Sequence, residues 1–253
     1  ILENAMKIAK LSIAPTSDDG DNLHAVYKDG KVTTPESYKK GYWAIQENGL
    51  GSSNADHTDP SSMPLCVMGG TNEYLAAANA SLGPYAMATT GSAGLIRDFG
   101  SENIKNIFLP KMFSGQWSGT MDLTEPNSGS DVGDITTKAT PTDEPGIYNI
   151  TGTKCFITGG DQDITENIIH LALARIEGCV SGTKGISLFV VPKYWPDANG
   201  EKGEFNDVNC GGIEHKMGLR GSATAIVNFG EDNKCRGYLL GDPPVDGRGQ
   251  GMA

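Results

Sequence analysis

Met121-Asp122-Leu123-Thr124-Glu125-Pro126-Asn127-Ser128-Gly129-Ser130-Asp131 separates two textures in this 253-residue sequence. Its start reads as the end of a strand. Its continuation, dense in Thr, Ser and Gly, reads as a loop rich in backbone N–H groups and hydroxyls. By itself such a loop is more often a simple turn than a binding site. The sequence on either side gives it context.

Upstream the pattern is helical. Residues 1–12 place Ile1, Leu2, Met6, Ile8, Ala9 and Leu11 at roughly helical spacing. Residues 15–22 form a polar turn; Asp18, Asp19 and Asp21 lack the longer calcium-loop pattern that ends in Glu. Asp29-Gly30, between short alternating runs, predicts a hairpin over 23–33. Thr34 then caps a helix, with Pro35 in its first turn, that ends near Gly49. Residues 52–62 are loop-like. Helices are expected over 64–82, where Ala76, Ala77, Ala78 and Ala80 permit close packing, over 84–98 with a stop at Gly100, and over a short stretch from Ser101 to about Met112.

Downstream of Gly119, short apolar runs alternate with Gly, Asn and Asp, at 148–151, 155–158, 167–175, 185–191 and 223–229. There is no strand–helix alternation, so a dinucleotide-type parallel sheet is not expected. The reading is α+β: an N-terminal α-helical segment, residues 1–118, followed by an antiparallel β-barrel or sandwich, residues 119–253.

Composition narrows the function. A formal charge of −11 argues against a nucleic-acid partner, whose phosphates require clustered Lys and Arg. No apolar run approaches the length of a membrane span. Five scattered cysteines without a CxxC pair suggest neither disulfides nor zinc, and a reducing cytoplasmic setting is expected. His24, His57, His170 and His215 show no metal-ligand spacing; His170, inside an apolar run, reads as a satisfied core residue. Gly115-Gln116-Trp117-Ser118-Gly119 is not the nucleophile elbow of a serine hydrolase. The sequence begins at Ile1 and stops at Ala253 without terminal signals, which reads as a piece of a longer protein.

A donor-rich loop after a strand suits a flavin, whose pyrimidine edge accepts hydrogen bonds that stabilise negative charge on the ring. Several ordered motifs add weight. Thr124-Glu125-Pro126-x-x-Gly129-Ser130-Asp131 resembles the signature of the acyl-CoA dehydrogenases. Gly152-Thr153-Lys154-Cys155-Phe156-Ile157-Thr158, His215-Lys216-Met217-Gly218-Leu219-Arg220-Gly221-Ser222 and Phe108-Leu109-Pro110-Lys111-Met112 are similar to further family segments in the same order. Finer features, such as Ile213-Glu214-His215-Lys216-Met217-Gly218, resemble the larger subgroup typified by the 3-methylmercaptopropionyl-CoA enzyme.

The resemblance implies FAD as cofactor and an acyl-CoA as substrate. It implies that Met121, Leu123 and Thr124 contact the flavin through backbone and hydroxyl groups. Gly129 and Ser130 would approach its pyrophosphate or the thioester side, making Ser130 a substrate residue as well. Phe156, Ile157 and Thr158 would flank the isoalloxazine, with Thr158 near N5. Met121 and Phe156 depart from the aromatic residue and the Trp that many members carry there, although sulfur and a π-face can still pack a ring. Residues 69–83 and 85–96 would line the acyl pocket by the same analogy.

The family reaction is α,β-dehydrogenation of a thioester: a Glu takes the α-proton while a β-hydride passes to flavin N5. That Glu is expected beyond Ala253, and Glu125 is expected to serve the loop's hydrogen-bond network. An electron-transfer flavoprotein as acceptor and a homo-oligomeric whole protein are further implications. Two alternatives stand beside this reading: a non-catalytic β-barrel binding module, and a related acyl-CoA oxidase or flavin monooxygenase.

Overall fold

The computed structural model describes residues 1–52 and 62–251. The helical part begins with α1 (Leu2–Ile8), followed by one wide turn at Ala9–Ile13 and a tight turn at Ala14–Thr16. Residues expected to form a polar loop instead make the short helix α2 (Ser17–Asn22). Pro15 suits the turn before it, and Asp18 and Asp19 oppose the positive helix end. The hairpin forms as expected from β1 (Val26–Lys28) and β2 (Lys31–Thr33). Helix α3 (Glu36–Glu47) follows, but Thr34 is not its cap. The Thr34 N–H and hydroxyl both donate to Asp163, at 2.8 and 2.7 Å, so a tertiary carboxylate replaces the local role.

Most of the loop expected over 52–62 lies outside the described residues. Helix α4 (Leu65–Ala78) stops four residues earlier than its periodicity suggested, because Asn79 turns extended and its side chain bonds Thr16. Helix α5 (Gly83–Phe99) ends at Gly100, and α6 (Glu102–Phe113) is capped by Ser101, whose hydroxyl accepts the Ile104 N–H.

The β part contains β3 (Trp117–Asp122), β4 (Lys138–Pro141), β5 (Ile147–Thr158), β6 (Asn167–Ile176) and β7 (Ile186–Pro192). It continues with β8 (Tyr194–Pro196), β9 (Lys202–Phe205), β10 (Val208–Ile213), β11 (Thr224–Phe229) and β12 (Arg236–Leu240). Eight of these form one sheet ordered β10-β11-β5-β12-β7-β6-β3, with β4 pairing both β5 and β6. Antiparallel pairs dominate, as expected; β3 and β4 each run parallel to β6.

Strand β6 explains how the layers meet. Its residues are buried almost throughout, which is why its sequence is a continuous apolar run rather than an alternating one. Ile169 and Leu171 face a core shared with Ala93, Ile96, Phe108, Met112 and Trp117 of the helices and β3. Ala172 and Ala174 face a second core with Phe189, Val227 and Phe229. On β3, Trp117 and Gly119 face α5 and α6. Gly119 is required there: a Cβ would lie 1.8 Å from Ser92 Oγ and 2.8 Å from Met112 Cε. This close contact brings α5 against the strand that leads into the 121–131 loop.

Candidate functional site

The register of β3 decides which side chains emerge. Ser118, Thr120 and Asp122 point into the sheet side, where Thr120 Oγ1 bonds Asp122 at 2.6 Å and His170 Nδ1 lies 2.9 Å from Thr120 and 3.0 Å from Asp122. His170 is therefore a core residue held through Nδ1, while its buried Nε2 has no partner among the described residues, so the expected satisfaction is met at one ring nitrogen only. Met121 points the other way, beyond the packed part of α5, and is 38% exposed.

After Asp122 the chain leaves the sheet. Glu125 and Ser128 exchange backbone hydrogen bonds at 2.8 and 3.0 Å, closing the turn through Pro126 and Asn127. Gly129 and Ser130 stand exposed on it, and Asp131 Oδ1 accepts the Gly133 N–H. Among the described residues, the N–H groups of Leu123 and Thr124 have no acceptor.

The turn is anchored from below. Glu125 is 3% exposed and accepts from the N–H and hydroxyl of both Thr136 and Thr137. Its Oε1 also pairs with Lys154 Nζ at 2.9 Å, and Nζ donates to Leu123 O at 3.1 Å. Burial pushes the Glu125 carboxyl upward, but the bonds from Thr137, Thr136 and Lys154 outweigh it and hold the group down at about 2. Burial lowers Lys154 from the usual lysine range, against the pull of Glu125. The signature carboxylate is thus an ionised structural anchor, as its turn position suggested.

Strand β5 carries the second motif and a β-bulge. Lys154 pairs with Val227 and Ile157 with Ala225, so Cys155 and Phe156 together oppose Ile226. Val227 and Ala225 face the core, and their partners Lys154 and Ile157 face it too. Phe156 adopts φ 60°, a left-handed conformation unusual for a bulky residue, and is 60% exposed. Thr158 is exposed as well. Ile157, 2% exposed, offers the outer face only its backbone.

Met121, Phe156 and Thr158 meet across one groove of about 430 Å³ with Pro84, Met87 and Ala88 of α5. Met121 and Leu123 also border a second, apolar hollow of about 300 Å³ with Leu95, Phe99, Leu173 and Leu240. Gly129 and Ser130 line neither. A third cavity, about 270 Å³, lies between α4 and α5 and is walled by Ile45, Leu50, Met68, Leu75, Ala76 and Met87. Pro84 and Met87 border both this cavity and the groove, so the two adjoin. Met87 and Ala88 fall within the 85–96 stretch expected by analogy to line an acyl pocket, whereas Pro84 lies between the two expected stretches; their place beside Met121 and Phe156 was not foreseen for any of the three. The free N–H groups, the exposed ring and the open groove fit a planar, polar-edged cofactor such as a flavin.

Residues 120–231 match the family described as acyl-CoA dehydrogenase, middle domain. The chain is 44% identical over its whole length to a butyryl-CoA dehydrogenase of Syntrophomonas wolfei, covering 42% of that protein. The chain belongs to the acyl-CoA dehydrogenase family. It is 40% identical over 91% of its length to the 3-methylmercaptopropionyl-CoA dehydrogenase of Ruegeria pomeroyi, covering 39% of that protein. It therefore spans about two fifths of the length of these acyl-CoA dehydrogenase relatives. Among solved structures, butyryl-CoA dehydrogenase from Megasphaera elsdenii superposes with a TM-score of 0.72 at 25% identity, over 95% of this chain and 57% of that one. An acyl-CoA dehydrogenase of Bacillus anthracis complexed with FAD shares the fold at a TM-score of 0.72 and 20% identity, over 95% of this chain and 36% of that one. Among the described residues no helix is long and apolar enough to cross a membrane, and no cluster of His, Cys, Asp and Glu could hold a metal.

Proposed function

We propose that this chain supplies the flavin-facing part of an FAD-dependent acyl-CoA dehydrogenase, which oxidises an acyl-CoA thioester to the 2,3-enoyl-CoA. The observation that carries this reading is one continuous surface: the groove of Met121, Phe156 and Thr158 opens at Pro84 and Met87 onto the apolar cavity between α4 and α5. The groove suits a flat ring, and the cavity suits an acyl chain beside it.

In this reading residues 119–253 carry the cofactor and residues 1–118 the wall of the acyl site. The Leu123 and Thr124 N–H groups and the Thr124 hydroxyl address the polar edge of FAD. Met121 and Phe156 pack against the ring. Ile157 contributes backbone, and Thr158 its hydroxyl. Gly129 and Ser130, on the exposed turn, take the pyrophosphate or the thioester side. When bound, FAD supplies the acceptor for the two electrons of carbon–hydrogen oxidation. Glu125 is not the proton acceptor, because it is buried and engaged by Thr136, Thr137 and Lys154. The base is a carboxylate outside residues 1–253. An electron-transfer flavoprotein is the electron acceptor, within a homo-oligomeric cytoplasmic protein.

The test is the visible spectrum of the purified whole protein. Flavin absorbance, bleached anaerobically by one or more of a panel of acyl-CoAs, is expected. A colourless protein favours a non-catalytic module, and a flavin unresponsive to the whole panel also overturns the reading. Rapid recolouring in air with stoichiometric hydrogen peroxide would indicate an acyl-CoA oxidase instead.

A further inference from the structure

We propose that Lys154 is a positioning residue for the cofactor: its buried ammonium polarises the Leu123–Thr124 peptide toward the flavin and raises the flavin's electron affinity. This rests on the FAD reading above. Lys154 Nζ is fully buried and donates to the Leu123 carbonyl at 3.1 Å. In a trans peptide the next N–H points opposite to that carbonyl. The Thr124 N–H therefore points away from Lys154, and it has no acceptor among the described residues.

The far side of this segment is also fixed. Thr124 O accepts the Cys155 N–H at 2.9 Å, and the Glu125 N–H at the other end of that peptide donates to Ser128 O, so of the two N–H groups opposite these carbonyls the Thr124 N–H is the one without an acceptor among the described residues. A cation bonded to a carbonyl strengthens the donor at the other end of the same peptide. Without water around Nζ the effect is poorly screened. Glu125 holds the ammonium in place at 2.9 Å, and Asp122 adds to the negative field around it. Negative charge grows on the flavin's pyrimidine edge on reduction, so a stronger donor there favours the reduced form.

The experiment uses the whole flavoprotein with FAD: wild type, Lys154→Gln and Glu125→Gln. FAD stoichiometry, dissociation constants for oxidised and reduced FAD, and the midpoint potential are measured. Lys154→Gln is expected to lower the preference for reduced over oxidised FAD by about tenfold, since the donor remains but its polarisation is lost. Glu125→Gln is expected to move the potential the other way, because the ammonium loses its neutralising partner. Opposite signs are the signature: a purely structural role loosens the site in both variants and shifts both alike, or shifts neither, and either result overturns the proposal.

If Lys154→Gln does not fold, Lys154→Met combined with Glu125→Gln removes the charge pair while leaving an acceptor for one of Thr136 and Thr137. Its potential is then expected to lie below that of Glu125→Gln alone, and a potential equal to that of Glu125→Gln overturns the proposal. A wild-type protein without FAD overturns this inference together with the FAD reading. FAD-replete wild type with unshifted variants overturns the role of Lys154 alone.

Discussion

Glu125 offers a quantitative test of how the signature turn is built. Its carboxyl is held at about 2 against an ordinary 4.5, a difference worth about 3 kcal/mol between the folded and unfolded chain. The folded value is depressed, so this stabilisation is fully present above about pH 4.5 and disappears as pH falls toward 2. Glu125→Gln keeps the shape and one acceptor but cannot carry the charge. The variant is expected to lose about 3 kcal/mol at pH 7, and the gap to wild type should close as pH falls through 4.5 toward 2. Glu125→Ala is harsher. It leaves Lys154 with only the Leu123 carbonyl and orphans the Thr136 and Thr137 N–H groups, a loss of about 3–5 kcal/mol for the broken pair before any unmet N–H is added. Whole-domain stabilities of about 5–15 kcal/mol leave little margin after that. Urea unfolding of the FAD-free whole protein, followed by fluorescence of buried Trp117 at a series of pH values, measures both variants. A gap under about 1 kcal/mol at pH 7, or one that does not change with pH, would refute the anchoring argument.

Two further outcomes are expected. Phe156→Gly should stabilise the FAD-free protein by about 1 kcal/mol, because it relieves the left-handed φ of an exposed residue, while weakening FAD binding; a lower melting temperature would contradict this. Gly119→Ala should destabilise by about 1–3 kcal/mol, because Ser92 Cβ stands 2.9 Å from the added methyl and α5 must move; urea unfolding at wild-type midpoint would show that the contact gives way freely.

Much of this protein was legible in order along the chain. The helical texture, the hairpin at Asp29-Gly30 and the stop at Gly100 follow from local chemistry, and the motifs at 124–131 and 152–158 identified the family. The core position of His170 and the structural role of Glu125 were readable too, because a histidine in an apolar run and a carboxylate in a turn each need partners close by. Local signals failed where a distant residue competed with a near one. Thr34 satisfies Asp163 rather than capping α3, and Asn79 ends α4 by reaching Thr16.

Sequence by itself determined the α+β class, the family and the two motif segments that meet at the groove. It could not determine which side chains of those segments face it. A simple alternation from Lys154 puts Phe156 on the same side, and only the bulge opposite Ile226 sends Lys154 inward beneath Leu123 while Phe156 emerges. Nor could it join Met121 to Met87, or the groove to the cavity behind it, because those contacts depend on how closely α5 approaches β3 at Gly119. Strand pairing and helix docking are long-range events, and their registers are set by packing across the whole core rather than by any window of the chain.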